Sequence, residues 1–316
     1  MLRRRLPSVS GEKEVPQRVH PAAIQPNLVP KWNETNGGHH EPCEKDVSWA
    51  LPKKPTFRSS FPFTPRHDTL RRVSESLIVN EIYLSLQGES TFAGLPCVFI
   101  RLTACNLRCS YCDTAYAFTE GKRRLLEEII AEVQRLAAPY RAPTGVPRLP
   151  LVELTGGEPL LQANTLPLMR GLCDVGFTVL LETSGALDIA PVDTRVRRIV
   201  DLKCPSSGEV NRNRWENLKQ LKATDEVKFV IGTVQDYDWA KEQIMRHRLA
   251  EICPLLFSWV TPLHPHQQHQ ALKPVPPGQT PIARLELVER VIADALPVRF
   301  QLQMHKLIWA PDQRGV

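Results

Sequence analysis

The chain has 316 residues, ample for a self-sufficient core, and its composition is ordinary for a globular protein apart from 28 prolines. No apolar run reaches the roughly 18–20 residues that cross a bilayer, so no membrane partner is expected. The net charge of +6 suggests nucleic acid until it is located: residues 1–76 hold 13 lysines and arginines against eight acidic residues, which places most of the excess in one segment.

That segment also carries ten of the prolines and shows no sustained periodicity. It is expected to be a disordered or loosely structured basic extension over 1–76, ahead of a core domain over 77–316. Its opening arginines precede no apolar stretch, and Glu12 and Glu14 fit a transit peptide poorly, so a cytoplasmic location is expected. Basic residues without aromatics interleaved on a sheet do not make an RNA-reading surface, and no nucleic-acid partner is expected.

From about Ser76 short apolar runs alternate with amphipathic stretches. PCVFIRL (96–102) reads as a strand that runs straight into a cysteine-rich loop. LLEEIIAEVQRLAA (125–138) reads as a helix with Leu126, Ile129, Ile130, Val133, Leu136 and Ala137 on one face, opened by Thr119 or Glu120 and closed by Pro139. Strand PLVELT (150–155), helix TLPLMRGLCDV (165–175), and strands TVLLET (178–183), RRIVDLK (197–203) and EVKFVIG (226–232) follow. Helices DYDWAKEQIMRHRLA (236–250) and IARLELVERVIADAL (282–296) and strand VRFQLQ (298–303) complete the series. Such a series calls for parallel strands with crossover helices. The expected fold class is therefore α/β, a complete or partial (β/α) barrel with functional groups at the C-terminal strand ends.

Three of the eight cysteines crowd together as Cys105-x3-Cys109-x2-Cys112, while Cys43, Cys97, Cys173, Cys204 and Cys253 are scattered. In a long chain without a secretory signal, clustered thiols point to metal or redox chemistry. Thiolates are soft anionic donors, and three on one loop can each reach a different iron of a 4Fe–4S cubane, leaving the fourth iron open. A structural zinc site needs a fourth ligand and usually a second two-cysteine knuckle, which is missing here. A ferredoxin-like cluster could draw its fourth thiol from Cys97 or Cys204. Thr155-Gly156-Gly157-Glu158-Pro159 ends the second strand, where glycines admit close backbone approach to a ligand. Glu182 and Ser184 end the next strand, where a carboxylate and a hydroxyl could bind ribose or an amino acid; a turn role for Ser184 is the plain alternative.

The cysteine spacing, Tyr111 just before its last member, and the GGEP turn one α/β unit later resemble the radical S-adenosylmethionine (SAM) superfamily. Four further segments, EIYLSLQGES (81–90), FIRLTACNLRCSYCDT (99–114), DLKCPSSG (201–208) and LQMHKLIW (302–309), resemble its family of 7-carboxy-7-deazaguanine synthases, over residues 78 to 310. The resemblance implies a barrel of the radical SAM type and a carbon–nitrogen lyase of queuosine (7-deazapurine) biosynthesis. Such an enzyme converts 6-carboxy-5,6,7,8-tetrahydropterin to 7-carboxy-7-deazaguanine with loss of ammonia, through a 5′-deoxyadenosyl radical. It further implies a 4Fe–4S cluster on Cys105, Cys109 and Cys112, SAM as a regenerated cofactor, an electron donor such as flavodoxin or ferredoxin, and a homodimer.

Site residues follow position by position. Substrate contacts fall on Leu86, Gln87, Gly88, Arg101, Thr155 and Pro311, with the Arg101 fork suited to a carboxylate. The SAM side falls on Tyr111, Cys112, Asp113 and Gly157, and Thr114 is implied as a magnesium (Mg2+) ligand. Glu182, Ser184, Lys203 and Ser206 end strands that could face SAM. Asp201 and Lys203 are not expected to pair with each other, since residues two apart on a strand seldom bond closely. His305 reads as a structural histidine. Ser90 stands where the family often has glycine. Two rivals share part of the pattern: a radical SAM activase of a glycyl-radical enzyme, and a non-catalytic iron–sulfur or zinc scaffold protein.

Overall fold

The computed structural model describes residues 75–140, 148–310 and 313–316. The expected extension therefore lies outside the described residues but for Glu75 and Ser76, as do Cys43 and Pro311. The described elements are β1 (Ser76–Leu86), β2 (Pro96–Leu102), β3 (Lys122–Leu125), α1 (Leu126–Ala137), β4 (Leu151–Gly156), α2 (Thr165–Asp174) and β5 (Val179–Thr183). They continue with β6 (Arg197–Asp201), β7 (Glu226–Ile231), α3 (Val234–Arg246), β8 (Leu255–Trp259), α4 (Arg284–Ala293), β9 (Arg299–Gln301) and a last turn, α5 (His305–Ile308).

All nine strands join one sheet in the order β3-β1-β2-β4-β5-β6-β7-β8-β9. The run from β2 to β9 is parallel, and β1 is antiparallel to both β2 and β3. With β3 and β9 as its edges, the barrel is partial. The segment after β1 spans the gap: the Gln301 side chain donates to Ser90 O at 3.1 Å and that of Gln303 to Glu89 Oε1 at 3.1 Å. The same segment crosses the N-terminal strand ends, where Thr91 donates through N–H and hydroxyl to Glu226 and Arg197 lies 5.2 Å over the Phe92 ring.

Three strands escape the sequence pattern. In β8 Leu255, Leu256 and Phe257 are all buried, and the single polar residue, Ser258, is too little to mark a face in the sequence. β3 is KRRL, an edge strand whose charges blunt it against further pairing. β1 carries a bulge between Val79 and Glu81 that interrupts its alternation. Helix starts also move. Neither Thr119 nor Glu120 opens α1, because β3 intervenes; the Glu128 side chain instead accepts the Leu125 N–H at 2.9 Å. α3 begins before Asp236, since Thr233 and Asp236 cap each other at 3.1 and 3.0 Å.

Alternation on the strands divides the molecule. Outward, Val98, Ile100, Val152, Leu154, Val179 and Leu181 pack beneath Ile129 and Val133 of α1 and Leu168 and Leu172 of α2. Val227, Phe229, Ile231 and Phe257 do the same beneath α3 and α4. Each such side chain contributes about 1.5–3 kcal/mol by leaving water. Inward, Cys97, Leu151 and Leu180 make one small apolar layer. The rows above it are polar: Arg101, Glu153, Thr155, Glu182, Asp201 and Lys228. That polar interior holds the site.

Candidate functional site

A cavity of about 650 Å³ takes its lining from β1, β2, β4, β5, β6, β7 and the segments that follow β2, β8 and β9. Its volume falls in the range of small-molecule sites. Cys105, Cys109 and Cys112 line it beside Tyr111, Asp113, Thr114, Gly156 and Gly157.

The cysteine loop is shaped by close backbone contact. Ala104, at φ 80°, holds a left-handed conformation that few non-glycine residues adopt. It accepts the Glu158 N–H at 2.8 Å, and Leu102 O accepts the Gly157 N–H at 3.1 Å. A Cβ on Gly157 would lie 2.1 Å from Ala104 O, and one on Gly156 2.3 Å from Leu102 O. The glycine pair thus lets the GGEP turn lie against the cysteine loop itself. Glu158, wholly buried, gathers the Leu160 N–H, the Thr183 hydroxyl, and both N–H and hydroxyl of Ser184.

Later parts of the chain pin the same loop. Glu209, 4% exposed, accepts the Arg108 N–H at 2.6 Å and pairs with Lys273 at 2.8 Å, while the Lys273 N–H donates to Arg108 O at 3.0 Å. Ser110 donates through N–H to Ser207 O and through its hydroxyl to Ser206 O. Lys306, in α5, pairs with Asp113 at 2.6 Å.

Burial raises all three thiols, Cys109 to about 12 even with the Lys203 ammonium pulling the other way. A metal centre must therefore displace their protons as it binds. Among the described residues no group of three or more His, Cys, Asp or Glu is arranged to hold one ion. Three thiols on one loop match a cubane, three of whose irons would each take one thiolate while the fourth stays open, and would leave a tetrahedral zinc ion one ligand short. Tyr111 OH and Asp201 Oδ1 are buried in the cavity lining without a hydrogen-bond partner among the described residues, as expected where a polar cofactor completes the set. The residues present fit a cluster and a polar cofactor beside it.

Of the residues that the sequence assigns to SAM at the later strand ends, Glu182 and Lys203 line the cavity. Lys203 Nζ does pair with Asp201 Oδ2, at 2.7 Å, which corrects the expectation from the sequence. β6 ends at Asp201, so Lys203 lies past the extended backbone and its long stem folds back. Ser184 also lines the cavity, with its hydroxyl given to Glu158. Ser206 stands outside the lining, and Asp236 takes its N–H at 2.7 Å and its hydroxyl at 2.6 Å.

Leu86, Gln87, Gly88, Arg101 and Thr155 line the cavity together, and Pro311 lies outside the described residues. Arg101 is no surface residue. Its Nε donates to Glu81 at 2.7 Å and its Nη2 to Tyr83 OH at 2.8 Å; the charge is held firmly on, the acidic groups outweighing burial. The rest of the fork remains for a ligand. The Gln87 amide is engaged at both ends: Oε1 accepts the N–H groups of Glu89 and Ser90, and Nε2 donates to Glu153 at 2.7 Å. Ser90 is buried, and its hydroxyl accepts the Phe92 N–H at 3.0 Å. Gly88 packs on His305, whose Nδ1 would stand 3.2 Å from a Cβ. Thr114 lines the cavity and donates to Asp113 at 3.3 Å, so it offers a hard cation one neutral oxygen.

Sequence reasoning missed Glu81, Glu89, Glu153 and Lys228. Lys228 lies between Glu89 at 2.7 Å and Glu182 at 2.6 Å, and these carboxylates outweigh burial to raise it well above the usual lysine value. Burial works against the Glu89 charge, but Lys228 and His305 bring that carboxyl down to about 2. A signal existed: Glu153 stands two residues before Thr155, on the same strand face.

Comparison with known proteins adds three findings. The family described as the Radical SAM superfamily matches residues 99–252. A 7-carboxy-7-deazaguanine synthase of Koribacter versatilis is 45% identical over 240 residues, covering 75% of this chain and 99% of that protein. One of Chlorobaculum tepidum is 42% identical over 243 residues, covering 76% and 97%. The crystal structure of QueE from Escherichia coli shares the fold at a TM-score of 0.54 and 23% identity, over 76% of this chain and all of that one.

Proposed function

The chain belongs to the 7-carboxy-7-deazaguanine synthase family of the radical SAM superfamily, and we propose that it converts 6-carboxy-5,6,7,8-tetrahydropterin to 7-carboxy-7-deazaguanine with loss of ammonia. One observation carries the reading: a single cavity joins a three-thiol loop to a half-buried arginine whose fork has donors to spare. The superfamily's 4Fe–4S cluster and SAM, held by Cys105, Cys109 and Cys112 and by the GGEP and Glu182 strand ends, supply hydrogen-abstraction chemistry when bound.

The protein's own groups do the rest. Glu81 and Tyr83 hold the Arg101 fork in place for the substrate carboxylate. Buried Lys228, fixed by two carboxylates, keeps the wall beneath the heterocycle from moving. Leu86, the backbone of Gln87 and Gly88, and Thr155 bound the heterocycle, and the segment after β9 helps to exclude water. Magnesium belongs to the same reading, with Thr114 giving one oxygen and substrate and water the others.

Two partner assignments and a location complete it. A one-electron donor such as flavodoxin or ferredoxin is required by the chemistry. A homodimer is supported by exposed apolar residues: Leu285 and Ile292 on α4, Leu307 and Ile308 on α5. A cytoplasmic site of action accords with cluster chemistry, and no helix of the described residues is long and apolar enough to cross a membrane. The test is anaerobic reconstitution with iron and sulfide, then turnover of the carboxytetrahydropterin with SAM and a reductant. Formation of 7-carboxy-7-deazaguanine is expected; bound zinc without SAM cleavage would sink the reading.

A further inference from the structure

Inside the sheet three carboxylates, Glu89, Glu153 and Glu182, lie around one buried ammonium, that of Lys228. Lys228 is committed to two of them, Glu89 at 2.7 Å and Glu182 at 2.6 Å. Glu153, 1% exposed, is left without a cation. Its Oε2 accepts the Gln87 side-chain N–H at 2.7 Å, while Oε1 takes no partner among the described residues and the side chain lines the cavity. The charged and titratable groups around it are Tyr83 of β1, Cys97 and Arg101 of β2, Glu182 of β5, Lys228 of β7 and Glu89 of the segment after β1. Arg101 is already held by Glu81 and Tyr83. Glu153, the one fully buried carboxylate of the three and without a counter-ion of its own, is best accommodated by keeping its proton.

We infer that Glu153 is a specificity-determining residue of the substrate pocket, a neutral carboxylic acid whose Oε1–H donates to a carbonyl oxygen or ring nitrogen of the substrate heterocycle. This rests on the proposed function and adds a recognition element to it. Oε2 meanwhile anchors Gln87, and through Gln87 Oε1 the Glu89 and Ser90 backbone, so one carboxyl both shapes the pocket and reads its occupant. An ionised carboxylate could not do this, since it only accepts. A heterocycle presenting an N–H at that edge is refused.

Burial and the Glu182 carboxylate push Glu153 up to about 8, the direction the geometry demands. Because this lies above the ordinary carboxyl value, the proton is held at neutral pH and lost as pH rises through about 8. Substrate affinity should then fall roughly tenfold per pH unit beyond that point.

The test uses the reconstituted full-length protein. Substrate affinity is measured from about pH 6.5 to about 9.5 for wild type, Glu153→Gln and Glu153→Leu, with cluster absorbance and SAM binding as controls for folding. Glutamine keeps an acceptor for Gln87 and a donor for the substrate. It should bind within about twofold of wild type at neutral pH and show no alkaline decline, while leucine should bind roughly tenfold more weakly at neutral pH. Infrared spectra without substrate should show a buried protonated carboxyl band that titrates near 8 and is absent from Glu153→Gln. Pterin turnover without that band, an alkaline decline that persists in Glu153→Gln, or a glutamine variant as weak as leucine overturns the role of Glu153 alone. The band present in a protein that does not bind the pterin overturns the proposed function, and the hydrogen bond with it.

Discussion

The two ends of the cavity are built by different means. Around the cysteines the chain is shaped by backbone on backbone: Gly156 and Gly157 against Leu102 and Ala104, Ala104 in a left-handed turn, Ser110 on the carbonyls of Ser206 and Ser207. Along the interior wall it is shaped by charge, with Lys228 between Glu89 and Glu182, and Arg101 between Glu81 and Tyr83. A rigid inorganic cluster of fixed size is best met by a frame built mainly of backbone, which the Glu209, Lys273 and Lys306 side chains then pin from outside. A planar heterocycle edged with donors and acceptors is best met by side chains that differ in protonation and charge. Damage at the first end should be all-or-none, and damage at the second graded.

Gly157→Ala puts the contrast at its sharpest. With a Cβ only 2.1 Å from Ala104 O the two turns must part, and reconstituted iron and sulfide should fall to near zero. The same loss is expected of alanine at Cys105, Cys109 or Cys112, whereas Cys173→Ala and Cys253→Ala should keep their iron. A Gly157→Ala protein with full iron content would show that the frame yields. Lys228→Met comes next: it strands two partly buried carboxylates, Glu89 and Glu182, and should cost about 1–3 kcal/mol in thermal or denaturant unfolding of the cluster-free protein. A loss below about 1 kcal/mol would mean that water already reaches the pair.

Arg101→Ala should weaken substrate binding by one to two orders of magnitude, the equivalent of about 1.5–3 kcal/mol for a charged hydrogen bond, with cluster content and SAM binding near normal. Unaltered substrate affinity would reduce Arg101 to a partner for Glu81. Thr114→Ala should have the smallest effect. It removes one neutral oxygen from a shell that water refills, so the magnesium concentration needed for full turnover should rise while the maximal rate changes little. Wild-type turnover indifferent to magnesium would end that role.

The same divide explains what the sequence made legible. The cysteine triplet and the glycine pair are visible because each needs a residue type that nothing else replaces. The outward faces of β2, β4, β5 and β7 are visible because their apolar residues alternate. Yet alternation misleads about the other face. Glu153 in VELT and Lys228 in EVKFV look like solvent-side residues, but in a partial barrel the polar face is the inner one and water is largely shut out: the two are 1% and 5% exposed. The Asp201–Lys203 pair was misjudged for want of the strand end, which is a fact of hydrogen bonding and not of spacing. β8 hid because both its faces are covered.

The pins on the cysteine loop have a consequence for the timing of maturation. Cys105 to Cys112 are synthesised early, but the groups that fix their loop, Glu209, Lys273 and Lys306, come roughly a hundred to two hundred residues later. At translation rates of about 5–20 residues per second, the three thiols wait roughly 10–40 s before their frame exists. During that interval they are a flexible, exposed triplet open to any thiophilic metal or to oxidation. Loading an iron–sulfur cluster correctly is then a step that follows release of the chain, and yield in cells should depend on how well the nascent thiols are kept from other metals.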